Sequence, residues 1–211
     1  YDLGNESSNC VIPRDRQSAR DWLAAVVGEL KGVSDVPVTI GLHAEDLEED
    51  RKLGPADAAL FCDFLCMHGY PLDVEVFPFL GLITRWLGGK GVLFQEFGVS
   101  DQILQQEYPG EVEEVGRLYY RRALHLLREV GMWGAFAWCY KENPHERYFG
   151  LFKADGSPKK AMSVFQEFAK GIKGAADCCD SYAVGAVSWL KGEDPERFYD
   201  NPLFELKRLY R

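Results

Sequence analysis

The sequence of 211 residues contains no uninterrupted apolar run of the roughly 18 residues that a transmembrane helix needs, so it predicts no such helix. Basic residues are also not in excess: Asp and Glu number 33, Lys and Arg number 24, and the formal net charge is −9. Because neutralising the phosphates of a nucleic acid requires a basic face, this charge argues against a nucleic-acid partner. Neither a membrane-spanning nor a nucleic-acid-binding protein is therefore expected.

Motifs for cofactors and metals are missing as well. No predicted strand is followed by G-x-G-x-x-G or by a Walker-type loop, which counts against a nucleotide-binding sheet. None of the six cysteines forms the C-x-x-C pair of a structural zinc site. We therefore expect no cofactor and no metal, and we expect reduced thiols, which favour an intracellular protein. The cysteines are Cys10, Cys62, Cys66, Cys139, Cys178 and Cys179.

What the sequence does contain is a regular alternation of strand-like and helix-like segments. Apolar residues make up 46% of the chain and aromatic residues 13%, which is enough for a substantial core. Short apolar runs rich in β-branched and aromatic residues predict strands, and runs with helical spacing of apolar residues follow them. Predicted strands lie at 1–5, 36–43, 63–71, 91–98 and 132–140, and predicted helices at 14–33, 54–62, 74–89, 111–131 and 157–172.

Five βα units of this kind predict a parallel sheet covered by helices, because parallel strands need crossover connections. Two architectures fit the pattern, an open doubly wound sheet or part of a (β/α)₈ barrel. The final helix is predicted to begin with Ser157 as its N-cap and Pro158 at its first position. Residues 173–211 are expected to form a C-terminal extension that is partly helical.

Polar side chains follow several of the predicted strands, at the end where a barrel enzyme carries its active site. Asn5 and Glu6 follow the first strand, His68 and Tyr70 the third, and Glu96 lies between Phe94 and Phe97 in the fourth. A charged residue among aromatic neighbours is costly to bury without a partner or a purpose. Two carboxylates facing one another across a sugar can hydrolyse a glycosidic bond, so Glu6 and Glu96 are candidate catalytic residues.

These motifs resemble the second half of a clan A glycoside hydrolase of the cellulase-like, family five type. The resemblance rests on Asn-Glu in "DLGNE", His-x-Tyr in "DFLCMHGYP", the glutamate of "FQEFG" and the tryptophan of "AFAWCY", which occur in the family's order. It covers roughly residues 1–172. It implies a (β/α)₈ TIM barrel of which this chain supplies about five βα units, the family's fourth to eighth.

The resemblance also implies roles in a retaining hydrolysis of a β-linked glucan or mannan, a substrate that would be the chain's partner. Glu6 would be the acid/base and Glu96 the nucleophile. Asn5 would hydrogen-bond the sugar 2-hydroxyl. Tyr70 or His68 would orient the nucleophile, and Trp138 would form the aromatic floor under a sugar ring.

Simpler interpretations stay open for individual residues. Glu6 could be a solvated loop residue, Glu96 part of a structural ion pair, His68 a core histidine and Trp138 a core aromatic residue. His43 and the acidic segment 43–51 fit a solvated surface better than a ligand set. For the whole chain, the alternatives are a carbohydrate-binding barrel without turnover and an open α/β protein that binds another small molecule.

One departure from the family concerns the number of strands. A piece of five strands leaves two open edges and cannot close into a barrel. We therefore expect the N-terminal half of the barrel as a partner, either in the same polypeptide or in a separate chain.

Overall fold

The computed structural model describes residues 1–172. Its strands are β1 (Asp2–Asn5), β2 (Thr39–His43), β3 (Leu65–Gly69), β4 (Val92–Phe97) and β5 (Gly134–Ala137). Its helices are α1 (Ser7–Cys10), α2 (Arg16–Val33), α3 (Pro55–Ala59), α4 (Val76–Gly88), α5 (Asp101–Glu107), α6 (Val112–Glu129) and α7 (Ala161–Ile172), with 3₁₀ turns at Ala44–Leu47 and Glu49–Arg51. The proposed C-terminal extension, with Cys178 and Cys179, lies outside the described residues.

The five strands form one parallel sheet in the order β1-β2-β3-β4-β5. Strand order therefore follows chain order, without the reversal at which a doubly wound sheet changes direction. A sheet that always grows in one direction, with a helical crossover after each strand, is the arrangement of a (β/α)₈ barrel. The fold is thus part of such a barrel, as predicted, and the open doubly wound sheet was the wrong alternative.

The core lies between the sheet and the helices. Phe77 of α4 is fully buried and meets Phe94 and Phe97 of β4 edge to face, and Phe97 also contacts Tyr120 of α6. Along β4 these aromatic residues face the helices. The residues between them in sequence are only partly buried and face the inner side of the sheet. The inner side is where the candidate catalytic groups lie.

Helix boundaries follow the sequence signals in most places. The Asp15 carboxylate caps α2 by accepting from the Ser18 backbone N–H, and α4 ends at Gly89, whose φ of 65° suits a residue without a Cβ. Pro78 lies in the first turn of α4, where a backbone N–H has no partner within the helix. Each of these residues determines a helix boundary through contacts within about one helical turn, so its effect can be predicted from the sequence nearby.

The predicted start of the last helix was wrong. Pro158 forms an isolated antiparallel bridge with Phe152, and Lys159 donates a backbone hydrogen bond to Leu151. The helix therefore begins at Ala161. The short helices α1 and α5 were not predicted from the sequence.

The two edge strands of the described sheet, β1 and β5, carry exposed apolar side chains. Trp133 and Phe136 at β5 are 65% and 61% exposed, and Tyr1 beside β1 is 54% exposed. The four cysteines of the described residues are free, and burial raises the pKa of the Cys62 and Cys66 thiols to about 11. None of the described helices is long and apolar enough to cross a membrane.

Candidate active site

Glu6 lies directly after β1, and its backbone is held in an unusual conformation. Its φ of 48° and ψ of 51° fall in the left-handed region, which costs a residue with a side chain about 1–3 kcal/mol. Its N–H donates to the carbonyl of Gly41 on β2 at 3.0 Å, which fixes this turn against the sheet. The strained turn directs the carboxylate towards the inner side, where Oε2 accepts a 2.7 Å hydrogen bond from Asn9 Nδ2.

Glu96 reaches the same place because β4 contains an irregularity. Met67 pairs with Phe94 but His68 pairs with Glu96, so Gln95 is an extra residue on β4. Such a bulge turns the following side chain to a new direction, and bulges recur next to active sites. Here it lets Gln95 and Glu96 both face the inner side. The Glu96 side chain is 15% exposed and that of Glu6 is 24% exposed, so both are open to a ligand.

His68 lies between the two carboxylates and is itself buried, with a side chain only 1% exposed. Its Nδ1 is 3.0 Å from Glu6 Oε1 and 3.8 Å from Glu96 Oε2. The hydrogen bond is therefore with Glu6. The family resemblance implies Tyr70 or His68 as the partner of the nucleophile Glu96, whereas the structure pairs His68 with Glu6.

Tyr70 supplies the partner of Glu96. Its hydroxyl donates a 2.5 Å hydrogen bond to Glu96 Oε2. Burial, and then the facing Glu96 carboxylate, raise the pKa of the Tyr70 phenol above its ordinary value, because both disfavour the phenolate. The raised pKa favours the neutral phenol, which can donate to Glu96. Its ring meets Phe149 edge to face, which holds it in place.

One carboxylate oxygen of Glu6, one of Glu96 and a ring nitrogen of His68 all lie within 4.8 Å of one another. Among the described residues, these three could hold a metal ion. Hydrogen bonds from Asn9 to Glu6, from Tyr70 to Glu96, and between His68 and Glu6 account for the arrangement of the three side chains. The expectation that the site holds no metal stays a prediction.

The remaining predicted site residues are Asn5 and Trp138. Asn5 is exposed at the end of β1, beside Gly41. Trp138 is partly exposed just after β5, where its N–H donates to the carbonyl of Phe97. Both side chains are accessible to a ligand, and their roles stay predictions.

His43 was expected to be solvated, but it is buried in a polar cluster. Ser8 Oγ lies 2.9 Å from His43 Nε2 and donates to Asp46 Oδ1 at 2.5 Å, while Asp46 Oδ2 accepts from the His43 backbone at 2.9 Å. Burial raises the pKa of Asp46. The expectation of a solvated surface was therefore wrong for His43 and Asp46. Their cluster anchors α1, and so the turn that carries Glu6, to the end of β2.

Two residues of the site were missed from the sequence, Asp2 and Gln95. The Gln95 amide donates to Asp2 Oδ2 at 2.8 Å, and its oxygen lies 3.4 Å from His68 Nε2. The sequence does carry a signal for Gln95, since it is a polar residue inside a strand. Its orientation depends on the bulge, which no local pattern indicates.

Comparison with known proteins gives matches among solved structures only. No family model and no curated protein matches the chain. It superposes on GH5_18 from Bifidobacterium longum subsp. longum with a TM-score of 0.68 at 17% identity, covering 82% of this chain and 48% of the other. A variant of GH5_18 from Streptomyces cattleya in complex with Manβ1-4GlcNAc gives 0.69 at 15% identity, covering 84% and 49%.

An endo-β-1,4-mannanase from Thermotoga petrophila matches with a TM-score of 0.50 at 15% identity, covering 82% of this chain and 42% of that one. The chain thus spans about half the length of the structures that it matches. The matches concern the fold, and they agree with the strand order described above. The chain has the fold of part of a (β/α)₈ barrel, of the type found in the family 5 glycoside hydrolases of clan A.

Proposed function

We propose that this chain carries the catalytic carboxylates of a retaining β-glycoside hydrolase. The observation that carries the proposal is the convergence of Glu6 and Glu96, which have carboxylate oxygens within 4.8 Å of each other. Retaining enzymes hold their carboxyl groups about 5–5.5 Å apart, whereas inverting enzymes keep about 6.5–9.5 Å to admit a water molecule. The 4.8 Å bound applies to one oxygen of each carboxylate, and it is nearer to the retaining spacing than to the inverting one.

The partners of the two carboxylates favour different roles for them. Glu96 accepts a hydrogen bond from Tyr70, a donor that stabilises an ionised nucleophile. Glu6 faces His68, an imidazole that can accept or share the proton that an acid/base must carry. We assign Glu96 as the nucleophile and Glu6 as the acid/base.

In the first step the Glu96 carboxylate attacks the anomeric carbon. The bond to the leaving oxygen breaks, and that oxygen takes the proton of Glu6. In the second step a water molecule gives a proton to Glu6 while its oxygen displaces Glu96, so that two inversions give net retention. Asn5 is assigned to the sugar 2-hydroxyl and Trp138 to stacking beneath a sugar ring, because both are accessible at the rim of the site.

The substrate that we propose is a β-linked glucan or mannan. β-Mannosides are the first choice for a test, because the structural neighbours include a complex with Manβ1-4GlcNAc and an endo-β-1,4-mannanase. We also propose that the rest of the barrel, in the same or a separate polypeptide, covers the exposed edges at β1 and β5. Exposed edge strands with apolar neighbours are surfaces for further strand pairing.

The assignment is tested with Glu96→Ala and Glu6→Ala in the barrel that contains this chain. On an aryl β-glycoside, Glu96→Ala should lose about ten-thousand-fold or more in kcat, and azide should restore turnover as the inverted glycosyl azide. With Glu6→Ala, azide should instead give the retained glycosyl azide. Glu107→Ala, at an exposed carboxylate on α5, is the matched control. Wild-type protein without turnover on any β-glycan, or full activity of Glu96→Ala, would overturn the proposal.

A further inference from the structure

Gln95 has no part in the proposed mechanism, yet the bulge in β4 places it beside the catalytic carboxylates. Its side chain spans the inner side of the sheet, from Asp2 on β1 to His68 on β3. Across this span β2 contributes Gly41, where an added Cβ would lie 2.8 Å from two atoms of the His68 ring. The absence of a side chain on Gly41 is what makes room for His68 and Gln95 to approach each other.

The orientation of the Gln95 amide is fixed by Asp2. Asp2 Oδ1 accepts from the backbone N–H groups of Gly4 and Gly41 at 3.2 and 3.1 Å, and Oδ2 accepts from Gln95 Nε2 at 2.8 Å. A carboxylate has only acceptor oxygens, so the NH₂ end of the amide must face Asp2. The carbonyl end then faces His68 Nε2 at 3.4 Å.

An amide oxygen opposite Nε2 favours the imidazole tautomer that carries its proton on Nε2, because that nitrogen can then donate. The other nitrogen, Nδ1, is then an acceptor, and it lies 3.0 Å from Glu6 Oε1. A hydrogen bond at this contact needs a proton from Glu6. We propose that Asp2 and Gln95 are positioning residues that hold His68 in the Nε2–H tautomer, so that Nδ1 accepts from the protonated acid form of Glu6.

The opposite tautomer would have the opposite effect. With its proton on Nδ1, His68 would donate to an ionised Glu6, which then has no proton for the leaving group. The other charged and titratable groups around the imidazole are Glu96, with its partner Tyr70, at 3.8 Å and Asp2 behind Gln95. None of these donates to Nε2 or accepts from Nδ1. Of the neighbours named here, Gln95 is the one at hydrogen-bond distance of Nε2, and on this proposal it outweighs the attraction of an ionised Glu6 for a proton on Nδ1.

The tautomer can be measured directly, without any turnover, from the ¹⁵N shifts of the imidazole nitrogens. The chain has only four histidines, so His68 can be assigned with a His68→Asn variant. The wild type should show a protonated Nε2 and an unprotonated Nδ1 for the neutral ring. Gln95→Leu, which keeps a similar volume but has no acceptor, should shift this towards a protonated Nδ1. A wild-type ring with its proton on Nδ1, or no change in Gln95→Leu, would overturn the inference.

The catalytic consequence rests on the proposed function and depends on the leaving group. Gln95→Leu should lower kcat/KM about 10- to 100-fold on an alkyl or sugar leaving group, within the range that a general acid contributes. On an aryl glycoside with a good leaving group it should change kcat/KM less than about threefold, since departure then needs no proton. The alkaline limb of the pH–activity profile should move to lower pH. Equal losses on both substrates would indicate a merely structural role.

A double variant that exchanges the carboxylate of Asp2 with the amide of Gln95 distinguishes the proposed effect from misfolding of Gln95→Leu, because the total charge is unchanged. Combining Asp2→Asn with Gln95→Glu leaves one amide and one carboxylate but reverses their order. The new amide can still accept from Gly4 and Gly41 and can donate to the new carboxylate, which accepts from His68 Nε2. The pair should restore both the tautomer and the leaving-group dependence, whereas Gln95→Glu alone opposes two carboxylates and should not. If the Asp2→Asn/Gln95→Glu double variant does not restore the Nε2–H tautomer, the proposed positioning of His68 by Asp2 and Gln95 is contradicted.

The two proposals fail in distinguishable ways. If the imidazole shifts behave as expected but no β-glycoside is turned over, the positioning of His68 by Asp2 and Gln95 is supported and the glycosidase assignment is contradicted. If β-glycosides are hydrolysed with retention but Gln95→Leu leaves both the tautomer and the leaving-group dependence unchanged, the glycosidase assignment is supported. The positioning of His68 by Asp2 and Gln95 is then contradicted.

Discussion

The Tyr70 hydroxyl donates a 2.5 Å hydrogen bond to Glu96 Oε2, whereas Glu6 faces His68 through Oε1 and accepts from the Asn9 side-chain amide through Oε2. This asymmetry separates two otherwise similar carboxylates. A neutral donor with a raised pKa stabilises negative charge on Glu96 without itself losing a proton. We base the proposed roles of Glu96 and Glu6 on these neighbours, His68 on β3 and Tyr70 directly after it.

Tyr70→Phe should lower kcat about 10- to 100-fold, because a hydrogen bond to a charged group contributes about 1.5–3 kcal/mol. The ring and its contact with Phe149 are retained, so the thermal unfolding midpoint should fall by no more than about 10 °C, the shift that loss of one such hydrogen bond produces in a domain of this size. Steady-state kinetics and a melting curve on the same preparations check this. Unchanged kcat would show that Glu96 does not depend on this donor.

Gly41→Ala should reduce activity about tenfold or more by displacing the imidazole, since its Cβ would lie 2.8 Å from His68 Cε1 and Nε2. The matched control is Gly28→Ala on helix α2, where a Cβ meets nothing within 4 Å. That control should be neutral or stabilising by up to about 1 kcal/mol, because alanine favours a helix interior. Equal behaviour of the two variants, in activity and in denaturant unfolding, would contradict the close fit at His68.

Asp57→Ala should destabilise the fold by about 2–4 kcal/mol. The fully buried carboxylate pairs with Arg20 at 2.6 Å and with Arg16 at 3.3 Å, and it accepts from the Gly54 N–H. Loss of one partner of a buried pair costs about 3–5 kcal/mol, and the partial exposure of both arginines reduces this.

Glu75→Ala removes the exposed partner of Arg122 and is the control for Asp57→Ala. It should cost less than about 1 kcal/mol, because exposed ion pairs contribute little. Urea unfolding measures both variants. A cost for Asp57→Ala as small as that of its control would contradict the importance of burial.

The buried Asp46 predicts a pH dependence of stability. Burial raises the folded-state pKa of Asp46, so its contribution is fully present below the unfolded-state pKa of about 4 and is lost as pH rises through the folded-state value. The stability of the wild type relative to Asp46→Asn should therefore fall as pH rises from about 4 towards neutrality. Urea titrations across this range test it, and a rise of the difference with pH would contradict the assigned cause.

Much of the fold could be predicted from the sequence because the signals were local. Apolar runs at 36–43 and 63–71 and the glycines after α4 mark their elements without reference to the rest of the chain. The start of α7 could not be predicted, because Pro158 is held by a bridge to Phe152 that forms only in the folded chain. Pro158 is a residue type that suits the first turn of a helix, but in the folded chain it pairs with Phe152 instead.

In the site, residue types at strand ends indicated Glu6, His68, Tyr70 and Glu96, since the ends of parallel strands meet on one side of a sheet. Which carboxylate His68 serves could not be predicted, because it depends on distances of 3.0 and 3.8 Å. Gln95 and Asp2 were missed for a related reason. They are 93 positions apart in sequence and meet only because β4 contains an extra residue.

We propose that Glu6 and Glu96 cleave a β-glycosidic bond by double displacement. The most direct test is the anomeric configuration of the first product formed from a β-mannoside or β-glucoside, followed by ¹H NMR before mutarotation, in the barrel that contains this chain. Double displacement predicts that the β-anomer appears first. An α-anomer as the first product, or the absence of any hydrolysis, would contradict it.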